Sequence, residues 1–138
     1  MSVLDQIKQD EGWRDHVYLD HLGYKTIGYG FLVDERRGGG MPKEVGEFWL
    51  RFNVAKIIQA IPKRWPAWKD QPEEVQDALI NMAYQMGVSG LMGFKRMLAA
   101  LERGERETAA CEALDSRWAN QTPERAWRVA AMIGGRSD

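Results

Sequence analysis

Two acidic residues and a threonine near the amino terminus have the types and spacing to hydrolyse a glycosidic bond. Glu11 lies where a short helix should end, Asp20 lies in a turn, and Thr26 follows on the strand that returns from this turn. Glycoside hydrolysis needs one carboxyl group kept protonated in a poorly solvated place and a second one that stays ionised. We expect Glu11 to be partly shielded. We expect Asp20 to be open to water and to hold an attacking water molecule together with the Thr26 hydroxyl.

This pattern alone does not specify catalysis, because a glutamate near a helix end and an aspartate in a turn are usually ordinary solvated residues. Other kinds of site lack the residues that they need. His16 and His21 have no second histidine or cysteine at a metal-ligand spacing, so we predict no metal site. Gly28 and Gly30 lack the third glycine of a dinucleotide-binding motif, and neither a phosphate-binding loop nor a nucleophile elbow is present. We therefore predict no cofactor.

The length and the charge of the chain narrow its class. Its 138 residues suit one domain with an apolar core, and its single cysteine, Cys111, cannot form an intramolecular disulfide. We interpret Cys111 as an inert core thiol. A net charge of -1 gives no overall positive field, so we predict no nucleic-acid partner. The amino terminus lacks the apolar run of a signal peptide or a membrane span, which predicts a soluble product made in the cytosol.

Strands come first along the chain and helices follow. Ser2 to Glu11 suits a short helix that Gly12 should stop. The stretch 13–33 is rich in aromatic and β-branched residues punctuated by glycine, and it predicts a small hairpin or three short strands. A glycine-rich loop at 37–40 should then precede four or five helices.

Prolines and glycines divide the helical part. Its expected breaks and helix ends lie at Pro62, Pro66, Pro72, Gly87, Gly104 and Gly134. A helix across the core is predicted from apolar residues at helical spacing, namely Val75, Leu79, Met82, Ala83 and Met86. Asn81 and Gln85 are the polar exceptions in this helix. The Thr122 hydroxyl should cap a last helix that runs to about Met132.

Three blocks of the sequence closely resemble the T-even phage lysozyme family. The first block is DEG at 10–12, YLD at 18–20 and GYKTIGYG at 23–30, which is similar to the active-site hairpin of that family. The second block, at 78–82, 85–87 and 93–94, resembles the central core helix and the turn that follows it. The third block, at 116–118, 120–123 and 125–126, resembles the carboxy-terminal signature. The blocks occur in the family's order, which is hard to obtain by chance.

The resemblance covers the chain from the first helix to about Val129 and implies an α+β, lysozyme-like fold. In such a fold a small N-terminal β-hairpin lobe, about 13–40, is joined by a long helix to a mostly helical C-terminal lobe. The C-terminal lobe would comprise about 62–134 together with the N-terminal helix, and a cleft would lie between the lobes. Residues 1–138 would form a single catalytic domain.

The resemblance also implies a role for each catalytic position. Glu11 would be the proton donor, and Asp20 and Thr26 would position and polarise the water, with inversion at the anomeric carbon. Arg125 is expected to support Glu11 by pairing with it.

Positions that match saccharide-binding residues of the family are Gly30, Leu32 and Tyr84. Tyr84 replaces a phenylalanine and adds a hydroxyl. Gly28 and Gly30 would either let the backbone approach a sugar or relieve crowding in a twisted strand. Three departures bear on substrate binding. Phe31 stands where relatives commonly have histidine, Met97 and Glu112 stand where the family has small or amide residues, and the stretch 34–41 is shorter than usual.

The resemblance implies a peptidoglycan hydrolase, an N-acetylmuramidase that cleaves the β-1,4 bond between N-acetylmuramic acid and N-acetylglucosamine for host cell lysis. As an endolysin it would accumulate as a monomer in the host bacterial cytoplasm. It would act on the wall from the periplasm after a holin has permeabilised the membrane. Two alternatives remain open: a lytic transglycosylase, which would release an anhydro sugar, and a catalytically inactive peptidoglycan-binding module, which would not need the three catalytic residues together. A helical nucleic-acid adaptor would need a basic stripe, whereas the arginines near the carboxy terminus alternate with acids.

Overall fold

The protein consists of a small sheet-containing part followed by a larger helical part. The structure is a computed structural model that describes residues 2–19, 24–29, 31–32 and 40–136. The chain divides into two compact units, Met1–Trp49 and Leu50–Asp138. Strands precede the main body of helices, so the predicted α+β class is confirmed. The first helix groups with the sheet. The lobe assignment of this helix, which the family resemblance implies, and a single catalytic domain both stay predictions.

The first helix begins and ends where the sequence predicts. Helix α1 spans Val3–Glu11, and Ser2 and Asp5 form a capping box in front of it. The Asp5 backbone N–H donates to the Ser2 hydroxyl across 3.1 Å, and the Asp5 carboxylate accepts from the Ser2 backbone N–H across 3.4 Å. These bonds satisfy amides that the start of a helix leaves without partners. At the other end Gly12 has a φ of 72°, a conformation that favours glycine and turns the chain out of the helix.

Three short strands follow, which is one of the two arrangements that the sequence predicts. They are β1 at Arg14–Leu19, β2 at Lys25–Gly28 and β3 at Phe31–Leu32, and they pair antiparallel in the order β1-β2-β3. In the central strand Thr26 lies opposite Tyr18 of β1 and Leu32 of β3. The predicted loop at 37–40 lies almost wholly outside the described residues.

The N-terminal unit buries little of its own apolar surface. Among its described residues, only Thr26 and Gly28 are buried. Val3, Leu4 and Ile7, which the sequence places on one side of α1, are all exposed. Apolar burial therefore contributes little to the stability of the described part of this unit.

A long helix contains the boundary between the two units. Helix α2 spans Lys43–Arg64 and continues through Pro62, so the predicted break at Pro62 is wrong. The proline lies in the last turn, where its missing N–H removes one hydrogen bond, and the next amides can still bond backwards. The Trp65 N–H donates to the Ile61 carbonyl across 2.8 Å. Within the described ranges no helix is both long and apolar enough to cross a bilayer.

Short helices complete the C-terminal unit. They are a 3-10 helix at Pro66–Asp70, α3 at Glu73–Met92, α4 at Lys95–Glu102, α5 at Arg106–Leu114, α6 at Arg117–Gln121 and α7 at Pro123–Gly134. From residue 41 onward the described chain therefore has six α-helices, more than the predicted four or five. The excess comes from α6, whose five residues are too few to show a helical period.

Three glycines and one threonine test the predicted helix ends. Gly87 has a φ of 81° and a ψ of 159°, which interrupts α3, and Gly104 follows the end of α4 with a φ of 76°. Helix α7 is closed by Gly135 in the left-handed region, one residue after the predicted Gly134. The predicted cap at Thr122 is wrong, because its hydroxyl donates to the Trp118 carbonyl across 3.0 Å instead.

The core of the C-terminal unit is one apolar cluster. Its largest fully buried side chains are Ile61, Val75, Leu79, Met82, Leu91, Met97, Val129 and Ile133. Helix α3 crosses this cluster, as its apolar spacing predicts. Cys111, in contrast, is exposed, so its assignment to the core was wrong.

One arginine ties three helices of this unit together. The Arg106 Nε donates to the Ile133 carbonyl across 2.9 Å, and its Nη2 donates to the Met132 carbonyl across 2.9 Å. The same Nη2 lies 3.0 Å from Glu74 Oε2. A guanidinium at the carboxy end of α7 satisfies carbonyls that the helix leaves without partners and complements the helix dipole.

Candidate functional site

Glu11 is the last residue of α1, immediately before the turn into the sheet. Gly12 ends the helix there, so the local sequence places the carboxyl group at a helix end. The side chain of Glu11 is exposed, in contrast to the partial shielding that the sequence predicts. Asp20 and Gly30, the predicted second carboxylate and a predicted saccharide contact, lie outside the described residues.

Thr26 is a polar residue in the middle of the sheet, and only 3% of its surface is exposed. Its hydroxyl donates to the Tyr24 carbonyl across 3.2 Å. A hydroxyl has one proton and two lone pairs, so this bond leaves Thr26 Oγ1 as an acceptor. Its strand neighbour is Leu32, a predicted substrate residue, which pairs with it between β2 and β3. The structure thus brings together two positions that the sequence singled out separately.

The space around Gly28 is too crowded for a larger residue. Its φ is 69°, and a Cβ at this position would lie 2.8 Å from Phe31 Cδ2 and 3.6 Å from Trp13 Cζ3. Trp13 in turn packs against Tyr29, with ring centroids 5.0 Å apart. Of the two explanations for this glycine, relief of crowding is therefore supported by the described contacts.

One exposed hydrogen-bonded pair of side chains lies on β1. His16 Nδ1 donates to Asp15 Oδ1 across 3.0 Å. This hydrogen bond, followed by the charge of His16, lowers the pKa of the Asp15 carboxyl below its ordinary value. Both side chains are well exposed, so solvent weakens the interaction.

In the C-terminal unit the predicted site residues lie on helix α3 and on the start of α7. Tyr84 is 46% exposed and lies on α3 between Asn81 and Gln85. Arg125 Nε donates to Asn81 Oδ1 across 2.8 Å, and Trp118 Nε1 donates to Gln85 Oε1 across 2.8 Å. The polar exceptions on α3 therefore both hold side chains from the carboxy-terminal helices. The pairing of Arg125 with Glu11 stays a prediction.

Met97 and Glu112, the two helical residues that depart from the family pattern, line the same cavity of about 530 Å³. Glu112 comes from α5, and Met97 comes from α4, where it is almost fully buried. The remaining lining residues are Gly90, Gly93, Phe94, Lys95, Arg96, Asp115, Ser116, Arg117 and Trp118. Both departures therefore belong to the lining of the same cavity.

The described residues offer no obvious metal centre. Among them, no group of three or more histidine, cysteine, aspartate or glutamate side chains could hold a metal ion.

Comparisons with known proteins agree with one another. The sequence profile of the family described as phage lysozyme matches residues 8–132. The chain is 34% identical to the pre-baseplate central spike protein Gp5 of Enterobacteria phage T4, with 96% of this chain covered but 28% of that protein. It is 31% identical to probable T4-type lysozyme 1 of Dictyostelium discoideum, with 96% of this chain and 93% of that protein covered. A second protein from that organism, probable T4-type lysozyme 2, is 26% identical.

The alignments also bear on length. The one with Gp5 extends over 158 positions, more than the 138 residues of this chain, so it contains gaps where the relative has residues that this chain lacks.

Proposed function

This chain belongs to the phage lysozyme family, whose members are lysozyme-type glycoside hydrolases, and we propose that it cleaves the β-1,4 bond between N-acetylmuramic acid and N-acetylglucosamine in peptidoglycan. The observation that carries the proposal is the buried Thr26 hydroxyl, whose proton is committed to the Tyr24 carbonyl. Such a hydroxyl accepts a hydrogen bond from a water molecule and leaves that water oxygen more nucleophilic.

The proposed reaction is a single displacement by water. Glu11 protonates the leaving glycosidic oxygen, and Asp20 takes a proton from the water that it holds together with Thr26. The water oxygen bonds to the anomeric carbon from the face opposite the leaving group, so the configuration inverts. One proton leaves Glu11 and one arrives at Asp20, and exchange with solvent resets both carboxyl groups.

Other residues have supporting roles in the proposal. Arg125 pairs with Glu11, and Gly30, Leu32 and Tyr84 bind the saccharide. The half-exposed phenol of Tyr84 offers both an apolar ring and a hydroxyl to a sugar.

The proposed setting is host cell lysis. The enzyme acts as a monomer on peptidoglycan, without a nucleic-acid partner, after a holin gives it access from the host bacterial cytoplasm to the periplasm. The identity with Gp5, a phage spike protein, favours a second candidate setting, a lysozyme unit within a phage structural protein. Antibodies against this chain distinguish the two, because a structural unit is retained in purified phage particles and a free endolysin is found in the lysate.

Release of reducing ends from purified peptidoglycan tests the chemistry. Glu11→Gln keeps the size of the side chain but removes the transferable proton, so we expect a loss of about 100-fold or more. Asp10→Asn is the matched control, since it neutralises the adjacent acid of α1, and its activity should stay within about twofold of the wild-type value. An unchanged circular dichroism spectrum must accompany the loss. Equal activity of Glu11→Gln and wild type would overturn the role of Glu11.

Product analysis separates the remaining alternatives. A hydrolase releases reducing N-acetylmuramic acid, whereas a transglycosylase releases a 1,6-anhydro sugar of lower mass. Binding to peptidoglycan with no product of either kind would indicate an inactive wall-binding module. An α-configured initial product, detected by NMR before mutarotation, is expected from inversion of a β bond.

A further inference from the structure

Residues 50–69 of the C-terminal unit form a stretch of the chain without an acidic residue. This basic segment contains Arg51, Lys56, Lys63, Arg64 and Lys69. It comprises most of helix α2 and nearly all of the 3-10 helix that follows. The net charge of the whole chain is -1, so the segment differs sharply in charge from the rest of the protein.

The basic side chains of the segment are exposed and keep their positive charge. Within the described ranges, none of them forms an ion pair with an acidic side chain. Arg64 Nη1 donates to the Ser89 hydroxyl across 2.8 Å, and Lys56 Nζ lies 4.8 Å from the centroid of the Phe52 ring. Neither a hydroxyl nor an aromatic ring neutralises a cation, so the segment presents a positively charged surface.

The part of helix α2 within the segment has one face in the core and the other in solvent. Ile61 is fully buried in the apolar cluster. With 3.6 residues per turn, Phe52, Lys56 and Lys63 lie on the opposite face of the helix. Phe52 is 50% exposed and Ile58 is 43% exposed. The exposed surface of the helix therefore carries large apolar side chains among its cations.

Two tryptophans attach the end of the segment to the C-terminal unit. Trp65 and Trp68 are both buried in the apolar cluster. The Trp65 indole N–H also donates to Glu102 Oε1 across 2.8 Å. The segment therefore has its helical form before any partner binds, and binding would not require the cost of ordering it.

Exposed cations mixed with exposed apolar side chains are typical of helices that lie in a membrane interface. Anionic headgroups attract lysine and arginine, and the region below them takes up apolar groups. Long basic side chains can hold their charge among the headgroups while their stems cover apolar surface. A nucleic acid would also attract the cations, but its phosphate backbone offers no apolar environment to Phe52 and Ile58.

We propose that the basic segment binds the surface of an anionic phospholipid bilayer through the exposed face of α2. Charge complementarity supplies the attraction, about fivefold in affinity for each cation near the surface. The Phe52 ring enters the headgroup region and adds the burial of apolar surface. No catalytic residue takes part, so this inference is independent of the proposed function.

Cosedimentation of the full chain with lipid vesicles tests the proposal. Vesicles that contain phosphatidylglycerol and phosphatidylcholine should bind the chain at least about 10-fold more tightly than vesicles of phosphatidylcholine alone. Added salt should weaken this binding, because salt screens the attraction. Equal binding to both kinds of vesicle, or no binding to either, would overturn the proposal.

A pair of double variants locates the binding surface. Lys56→Gln combined with Lys63→Gln should lower the affinity for anionic vesicles about 10-fold to 30-fold. Arg96→Gln combined with Arg128→Gln is the matched control, because it removes the same charge from exposed side chains of α4 and α7. The control should stay within about threefold of wild type. Equal losses in both double variants would show a response to net charge alone and would contradict a role for α2.

The aromatic side chain distinguishes a bilayer from other polyanions. Phe52→Ala should lower the affinity for anionic vesicles about fivefold or more, since the ring no longer leaves water. Trp127→Ala, at an exposed aromatic residue of α7, should leave the affinity within about twofold of wild type. Binding of duplex DNA as tight as that of the vesicles, with no loss in Phe52→Ala, would indicate a general polyanion site and overturn the bilayer as the partner.

The catalytic variant keeps this inference separate from the proposed function. Glu11→Gln should bind anionic vesicles as tightly as wild type, whether or not the wild-type chain cleaves peptidoglycan. All variants should keep the circular dichroism spectrum of wild type, because the changed side chains are exposed. Loss of vesicle binding in Glu11→Gln with an unchanged spectrum would contradict a binding surface on α2.

Discussion

The Thr26 hydroxyl lies 3.2 Å from the Tyr24 carbonyl, to which it donates its proton. The two residues are separated by a single position, so the bond is made within the entry to β2 and does not depend on distant parts of the chain. Its effect is to turn the lone pairs of Thr26 Oγ1 away from Tyr24. A residue that strand propensity alone would explain thereby becomes a defined hydrogen-bond acceptor.

Removing the Thr26 hydroxyl should strongly lower activity without unfolding the protein. Thr26→Val keeps the branched shape and removes the acceptor, so we expect the release of reducing ends to fall by about 100-fold. Thr26→Ser keeps the hydroxyl and should stay within about 10-fold of wild type. The free energy of unfolding should change by about 1 kcal/mol in either variant. Equal activities of the valine and serine variants would contradict the role of the hydroxyl.

A methyl group should destabilise the protein at Gly28 and stabilise it slightly at Gly46. Gly28→Ala combines a positive φ with a Cβ 2.8 Å from Phe31, and we expect it to destabilise the protein by about 1–3 kcal/mol. Gly46 is helical, and its Cβ would meet the Met41 sulfur at an ordinary 3.5 Å. Gly46→Ala should therefore stabilise by up to about 1 kcal/mol. Urea unfolding of both variants measures the difference, and effects of the same sign would refute this explanation.

Two arginines of the C-terminal unit should differ in their contribution to stability. Arg106→Met leaves the half-buried Glu74 and two helix-end carbonyls without their donor, which should cost about 1–3 kcal/mol. Arg136→Met removes a pair with Glu107 whose side chains are 73% and 75% exposed, so solvent screens the pair and we expect almost no destabilisation. Guanidinium unfolding midpoints compare the two variants. Equal destabilisation would mean that the carbonyl bonds of Arg106 add nothing.

Cys111 should react with a thiol reagent in the folded protein. It is exposed beside a groove of about 410 Å³ that also includes Trp127. A disulfide reagent such as dithionitrobenzoate should label it fully without denaturant, and Cys111→Ser should change the unfolding free energy by less than about 0.5 kcal/mol. Labelling that required unfolding would support the core thiol that the sequence suggested.

Features set by neighbouring residues were predictable from the sequence. The short first helix and its end at Gly12 both follow from chemistry within a few positions. The same kind of reasoning gave a wrong prediction of a helix cap at Thr122. A hydroxyl at a helix start has a competing acceptor one turn back, which here is the Trp118 carbonyl. The predicted helix break at Pro62 was wrong because a proline destabilises a helix less when it lies in the last turn, as Pro62 does in α2.

Features that depend on which helices meet were not predictable. Cys111 and Trp127 lie in helical sequences that look ready for burial, yet both are exposed, because no described helix covers those faces. At the candidate site the residue types and their order were readable from the sequence. The partners of Asn81 and Gln85 were not, since each comes from a helix more than 30 residues away.

The bonds of Arg106 also bear on how long the protein stays folded. They join residues 27 and 32 positions apart, so α3, α5 and α7 must already be docked before the bonds can form. Interactions that form after the folding transition state slow unfolding and leave the folding rate almost unchanged. We therefore expect this guanidinium mainly to lower the rate of unfolding. The lifetime of the C-terminal unit in the presence of a protease would then depend in part on the bonds of this one side chain.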